Sequence, residues 1–261
     1  MRNVIEWGQG AFMQRILPET DLERKLMCTA AVFVEENNAL NELYQVIGDS
    51  SDPESSLNEI GEYFFRLDMN YGSQIKADCI EILEDFWKVY DKASALEVLE
   101  NIFEQGHRTK FSVMQKSIPS EGALDSVALD RMKQIFKFDM EDSQDLQMSN
   151  EDYTKLAMWM QRTHKFLGEA GILAWDVARS VHLVRLCYIA GYLDDNEAWK
   201  EILKWAPAVE GRFSNWMEFS QSFLIGRTFW SGVDDPEIKS ICERLLGHPL
   251  SPWQFISWTE V

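Results

Sequence analysis

The sequence predicts an all-α protein, and three observations carry that expectation. The recurring unit is a stretch of about 10–20 residues, opened by an N-cap signal and closed by glycine or proline. Sustained alternation of β-branched residues and tight hairpin signals are missing. The most apolar stretch has the length of a helix, not of a strand. The expected architecture is a single multi-helix bundle of about ten helices, without a substantial sheet or a solenoid repeat.

Met1 to Leu17 shows no clear periodicity, and Gly8-Gln9-Gly10 is too little for a phosphate loop. Thr20-x-x-Glu23 is a capping box. The helix after it carries Leu22, Leu26, Ala30 and Val34 and runs towards Leu43 and Ile47, with a break expected near Asn37-Asn38. Gly48 to Pro53 reads as a loop with Pro53 in the first helical turn. Leu57, Ile60, Phe64 and Leu67 mark the next helix. Ser73 precedes another, whose inner face should be Cys79, Ile82, Leu83, Phe86 and Trp87. Ser94-x-x-Glu97 is a second capping box, and Gly106 closes the helix that carries Leu96, Leu99 and Phe103. His107 directly after that stop is placed to bond the last free carbonyls. Ala123 to Phe136 is a helix. Asp139 to Asn150 is acidic, poor in large apolar residues, and the best linker candidate. Glu151 to Leu167 is a helix with Leu156, Trp159, Met160 and Phe166 on its inner side.

The chain is organised around Leu173 to Trp230, which carries Trp175, Trp199, Trp205, Trp216 and Trp230. At about 100° per residue, apolar side chains fall all round a helix from Ile172 to Ala190, the mark of a buried helix. Asp176 and Arg179 lie three apart on it, so they can pair; unpaired burial of either would be costly. His182 and Arg185 continue the polar track. Gly191 suits the C-cap and Asp194 or Asp195 the next N-cap. Ala198 to Ala206 forms a short helix stopped by Gly211. Ser214 opens another that runs to Trp230, with Trp216 and Trp230, like Trp175 before them, as core aromatics and Gly226 allowing the close approach of a second helix. Pro236 opens the last long helix, ended by Gly247. The tail from His248 is too apolar to lie free in water and should pack back on the body.

The 261 residues suffice for one large or two small domains. Met1 to Gly72 reads as helices packing on a main body of residues 73–261; whether they form a separate subdomain is open. Forty-three acidic against 25 basic residues give a net charge of −18. That disfavours nucleic acid and anionic membranes as partners and favours solubility or a cationic partner. No run approaches transmembrane length, and charge near Met1 interrupts any signal-like segment. Cys28, Cys79, Cys187 and Cys242 are scattered without C-x-x-C spacing, as expected of buried thiols in a reducing cytoplasm. Four dispersed histidines make poor metal ligands; no P-loop, nucleophile elbow, H-E-x-x-H or EF-hand loop occurs. No cofactor or metal is therefore expected. The candidate polar residues are Asp176, Arg179, His107, Arg108 and Arg227, those nearest helix ends or set into apolar helices. They are read as structural or binding residues; none is assigned a catalytic role.

Trp175-Asp176-x-x-Arg179, Ala190-Gly191-Tyr192, Glu197-Ala198, Ser214-x-Trp216, Gly226-Arg227 with Trp230, and the Ser251-Pro252-Trp253 tail together resemble the bacterial family named domain of unknown function 1266, the YbeU- and YbeR-like proteins. The pattern from Trp87 through Ser94 to Gly106-His107-Arg108 is also similar, so the resemblance covers roughly Gln74 to the end. It implies a bacterial, cytoplasmic, all-α fold and no particular reaction. Composition then favours a non-catalytic acidic binding module. Its sharpest form is an immunity protein that occludes the active site of a basic secreted toxin. An enzyme (hydrolase or transferase) with a polar cleft beside the Trp175–Arg179 helix is the alternative, and a chaperone-linked adaptor a third.

Overall fold

In the computed structural model the described residues are 15–47, 53–69, 75–119, 122, 124–138 and 149–258. Most of the expected linker from Asp139, the loop from Gly48, the first 14 residues and Ser73 lie outside them. Among the described residues the secondary structure is helical, with no strand.

The centre is α10 (Leu173–Ala190). Its apolar residues point in every direction because it is packed on every side: against α13 (Trp216–Ser231), α6 (Lys92–Glu104), α11 (Asp195–Leu203), α5 (Lys76–Ile82) and α1 (Asp21–Thr29). Gly191 ends it in the left-handed region at φ 81°, where the Tyr192 amide turns back to the Cys187 carbonyl at 2.9 Å. Asp194, not Asp195, caps α11 through a full capping box with Glu197.

The N-terminal helices start and break where the sequence indicates, except that the first one is also interrupted at Ala30, between α1 and α2. Thr20 and Glu23 make the capping box of α1, and the break falls at Asn38, whose φ of 60° separates α2 (Ala31–Glu35) from α3 (Ala39–Ile47). α4 (Pro53–Ile60) widens into a π turn over Gly61–Phe65. α5 does the same over Leu83–Trp87, and this overturns part of the expected inner face. Cys79 and Leu83 are buried, whereas Phe86 is 81% exposed and Ile82 also faces water. An i→i+5 turn shifts later residues off the α-helical stripe, so Phe86 swings out. The second capping box also moves. Asp91 is the N-cap of α6, with Ser94 reciprocating at N3, because the aspartate three residues earlier meets the Ser94 amide.

α7 (Gly106–Ser117), α8 (Ser126–Phe138) and α9 (Asn150–His164) build a smaller core of Phe111, Met114, Met132, Ala157 and Met160, closed by Ile172. Phe166, past the end of α9, is exposed. The large core runs from Leu26 in α1 to Trp258 in the tail, so the N-terminal helices and the main body share it. The tail packs back as its composition requires. The Trp253 indole donates to the Cys28 carbonyl at 2.9 Å, the Trp216 indole donates to the Ile256 carbonyl at 2.7 Å, and the Trp216 and Trp253 rings stack at 5.2 Å. Both of these buried indoles thus satisfy their N–H, which lets them go inside. Between α13 and the tail lies α14 (Pro236–Gly247), opened by Asp235 as N-cap. All four cysteines are free and buried. No helix among the described residues is long and apolar enough to cross a membrane.

Candidate functional site

A single residue, Gln105, separates α6 from α7. α7 opens at Gly106, whose φ of +51° disfavours side chains. A Cβ there would also collide with the Asp176 carboxylate and the Arg108 guanidinium. α7 begins without a side-chain cap of its own and without an acid in its first turn. Asp176, reaching across from α10, fills that vacancy. Its carboxylate accepts from the His107 amide at 3.0 Å and the Arg108 amide at 2.9 Å. It is a helix cap supplied in trans, with the charge the N-terminus favours.

Two guanidiniums complete the shell. Arg179 Nη2 lies 3.1 Å from one Asp176 oxygen and Arg108 Nη1 3.1 Å from the other. Asp176 is fully buried, and four donors occupy the roughly four sites a carboxylate offers. Arg108 folds back over the end of α6, donating to the carbonyls of Ile102, at 2.8 Å, and Phe103, with its guanidinium 5.3 Å from the centre of the Trp205 ring. Bonding of the last α6 carbonyls, expected of His107, therefore falls to Arg108, whose planar fork reaches two of them at once.

His107 has a different task. Its Nδ1 accepts the Trp175 indole N–H at 2.9 Å, so this nitrogen carries no proton. Burial, then the nearby charges of Arg179 and Lys110, push its pKa down to about 3. A neutral acceptor of this kind is not poised for proton transfer near neutral pH. His182, one turn beyond Arg179, is likewise held to about 3, by burial first and Arg185 second. It stacks on Phe33 at 4.5 Å, and its Nδ1 is buried without a hydrogen bond.

Trp175 joins this set to the last candidate. Gly226 on α13 lies so close to Trp175 that a Cβ would overlap it, which confirms the close helix approach read from that glycine. One residue on, Arg227 pairs with Asp235 at 3.1 Å and lies over both the Trp175 ring, at 6.0 Å, and the Trp230 ring, at 4.8 Å. Four of the five candidates, Asp176, Arg179, His107 and Arg108, thus form one cluster; Arg227 touches it only through Trp175. Of the three expected core aromatics, Trp175 and Trp216 are buried and Trp230 is not: it is 56% exposed. The correction has a plain cause. Trp230 is the penultimate residue of α13, just before the Gly232 C-cap at φ 75°, where the helix runs out past its packing partners.

Two interior features were not legible. Glu35 is 1% exposed, pairs with Arg244 at 2.8 Å and accepts the Leu40 amide, while buried Arg185 donates to the Arg66 carbonyl at 2.8 Å. Each partner lies more than a hundred positions away or in an irregular turn, so spacing carried no sign of it.

A cavity of about 500 Å³ touches Gly106 but is otherwise lined by Thr109, Lys110, Val113 and Ile135 among others, not by Asp176, Arg179 or His107. Another, of about 490 Å³, lies between α1 and the tail beside Lys25, Phe213 and Trp258. Among the described residues no three His, Cys, Asp or Glu side chains converge to hold a metal ion. The geometry is that of a closed structural joint linking α6, α7 and α10.

Comparison with known proteins places most of the chain in one family. The model of a family described as "Protein of unknown function (DUF1266)" matches residues 82–258. The uncharacterized protein YbeR of Escherichia coli K12 is 22% identical over 169 residues, which cover 64% of this chain and 64% of YbeR, just under two thirds of its length. No solved structure matches. The family match spans well over half of the chain and contains His107, Arg108, Trp175, Asp176, Arg179, Arg227 and Trp230, so the chain belongs to the DUF1266 family.

Proposed function

We propose that this protein is a non-catalytic binding module of the cytoplasm that docks a basic protein partner. In its sharpest form it is an immunity protein that covers the active site of a cognate toxin. The observation that carries the reading is the division of charge. Asp176, fully buried, is saturated by four internal donors, while 43 acidic residues against 25 basic ones leave the rest of the molecule strongly negative. A carboxylate with no lone pair to spare is poorly suited to acid–base work. A strongly negative exterior draws in cationic partners and speeds their encounter.

The test is affinity capture of the full chain from its native host, followed by co-expression with the captured protein. A basic partner whose toxicity the chain relieves supports the reading. Capture of no protein, or of one with acidic character and no toxicity, overturns it.

A further inference from the structure

The indole of Trp230 is held in place yet left in water. One side rests on the Arg227 guanidinium at 4.8 Å and it tilts against Trp175 at 5.6 Å, while 56% of the residue remains exposed. Val233, just past the C-cap, is 64% exposed. A half-buried tryptophan fixed by its neighbours pays little ordering entropy when a partner covers it, and such residues dominate interface energetics.

The charges beside it are mostly of one sign. Asp235 pairs with Arg227, Asp234 accepts from Thr228 at 3.3 Å, and Glu237 stands in the first turn of α14. Glu36, at the end of α2, faces the same group. Arg227 attracts this exposed carboxylate while Asp235 and Glu237 crowd it. An incoming cation would relieve that crowding. A second copy of this chain would bring the same carboxylates and be repelled.

We infer that Trp230, with the carboxylates of Glu36, Asp234, Asp235 and Glu237 around it, is the docking surface for a basic segment of the partner protein. An arginine or lysine lies against the free part of the indole while its charge meets the acids. This rests on the binding function proposed above and locates it.

The probe is a fluorescently labelled arginine-rich peptide titrated with the full chain, beside a neutral peptide of equal length. The basic peptide should bind and the neutral one should not. Trp230→Ala should weaken binding about tenfold. Trp230→Leu, which keeps apolar bulk without the π face, should recover only part of it. Glu36→Gln with Asp234→Asn should weaken it, whereas Glu84→Gln with Phe86→Ala, on the α5 side, should not. If the basic peptide binds and Trp230→Ala leaves its affinity unchanged, or the Glu84/Phe86 variant weakens it as much, this inference fails and the binding function stands. If no basic peptide binds, or the neutral one binds equally, both fail. Concentration-dependent dimerisation that Trp230→Ala abolishes would assign the surface to self-association and overturn the inference.

Discussion

Removing the Asp176 carboxylate should damage the protein as loss of a structural joint. In Asp176→Ala the amides of His107 and Arg108 lose their cap, and the Arg179 guanidinium, only 12% exposed, loses its counter-charge. Breaking a buried ion pair from one side costs about 3–5 kcal/mol, and loss of a helix N-cap about 1 kcal/mol. Arg108 adds less, because its side chain is 24% exposed and keeps the Ile102 and Phe103 carbonyls. These terms share partners and do not sum fully, so a net loss of about 4 kcal/mol is expected. For a chain of this size that corresponds to about 8 °C in melting temperature. Asp176→Asn keeps one acceptor and turns an amide NH2 towards donors, so it should lose about 3 kcal/mol. Equilibrium urea unfolding followed by far-ultraviolet circular dichroism measures both. A loss below about 0.5 kcal/mol in Asp176→Ala, the range of an ordinary surface substitution, would refute the reasoning.

Three further substitutions probe the same framework. Gly226→Ala should destabilise by about 1–3 kcal/mol through overlap with Trp175, although alanine is the better helix former by about 1 kcal/mol; an unchanged or raised urea midpoint would contradict the packing described. Trp253→Ala should cost about 3–5 kcal/mol by emptying the site against Cys28 and Trp216, read as a lowered melting temperature; a shift under 1 °C would place the tail outside the folded body. His107 and His182 take a proton only near pH 3 in the fold but near 6.5 when unfolded. Between these values the unfolded chain holds more protons, so their contribution is complete above about pH 6.5 and is lost as pH falls towards about 3. His182→Leu should flatten this acid limb when urea midpoints at about pH 5 and about pH 7.5 are compared. It should cost little at the higher pH, since it also removes a buried nitrogen without a partner; an unaltered acid limb would argue against the buried neutral state.

How far the molecule could be read beforehand follows from the range of each interaction. Helix ends set by neighbours in sequence were legible: the Thr20–Glu23 box, the Asn38 break, the Gly191 cap and the Gly226 contact all appear where spacing and conformational preference place them. The Asp176–Arg179 pair was legible for the same reason, being three apart on one helix. That Asp176 also caps α7 was not, because that contact joins residues 68 and 69 positions apart. Gly106 read only as the stop of one helix, so the uncapped start of α7 was not in view. The π turn that exposes Phe86 and the helix end that exposes Trp230 escaped because an apolar residue at helical spacing looks the same whether or not a partner lies opposite.

Under the proposed function the outer charges attract a basic partner, while the buried ones hold helices together. The most direct measurement is the association rate of the full chain with its captured partner as salt is raised. Charges separated by more than about 10 Å are largely screened at 0.1 M ionic strength, so steering by a −18 chain predicts a steep fall in the association rate with little change in dissociation. A rate indifferent to salt would contradict the account.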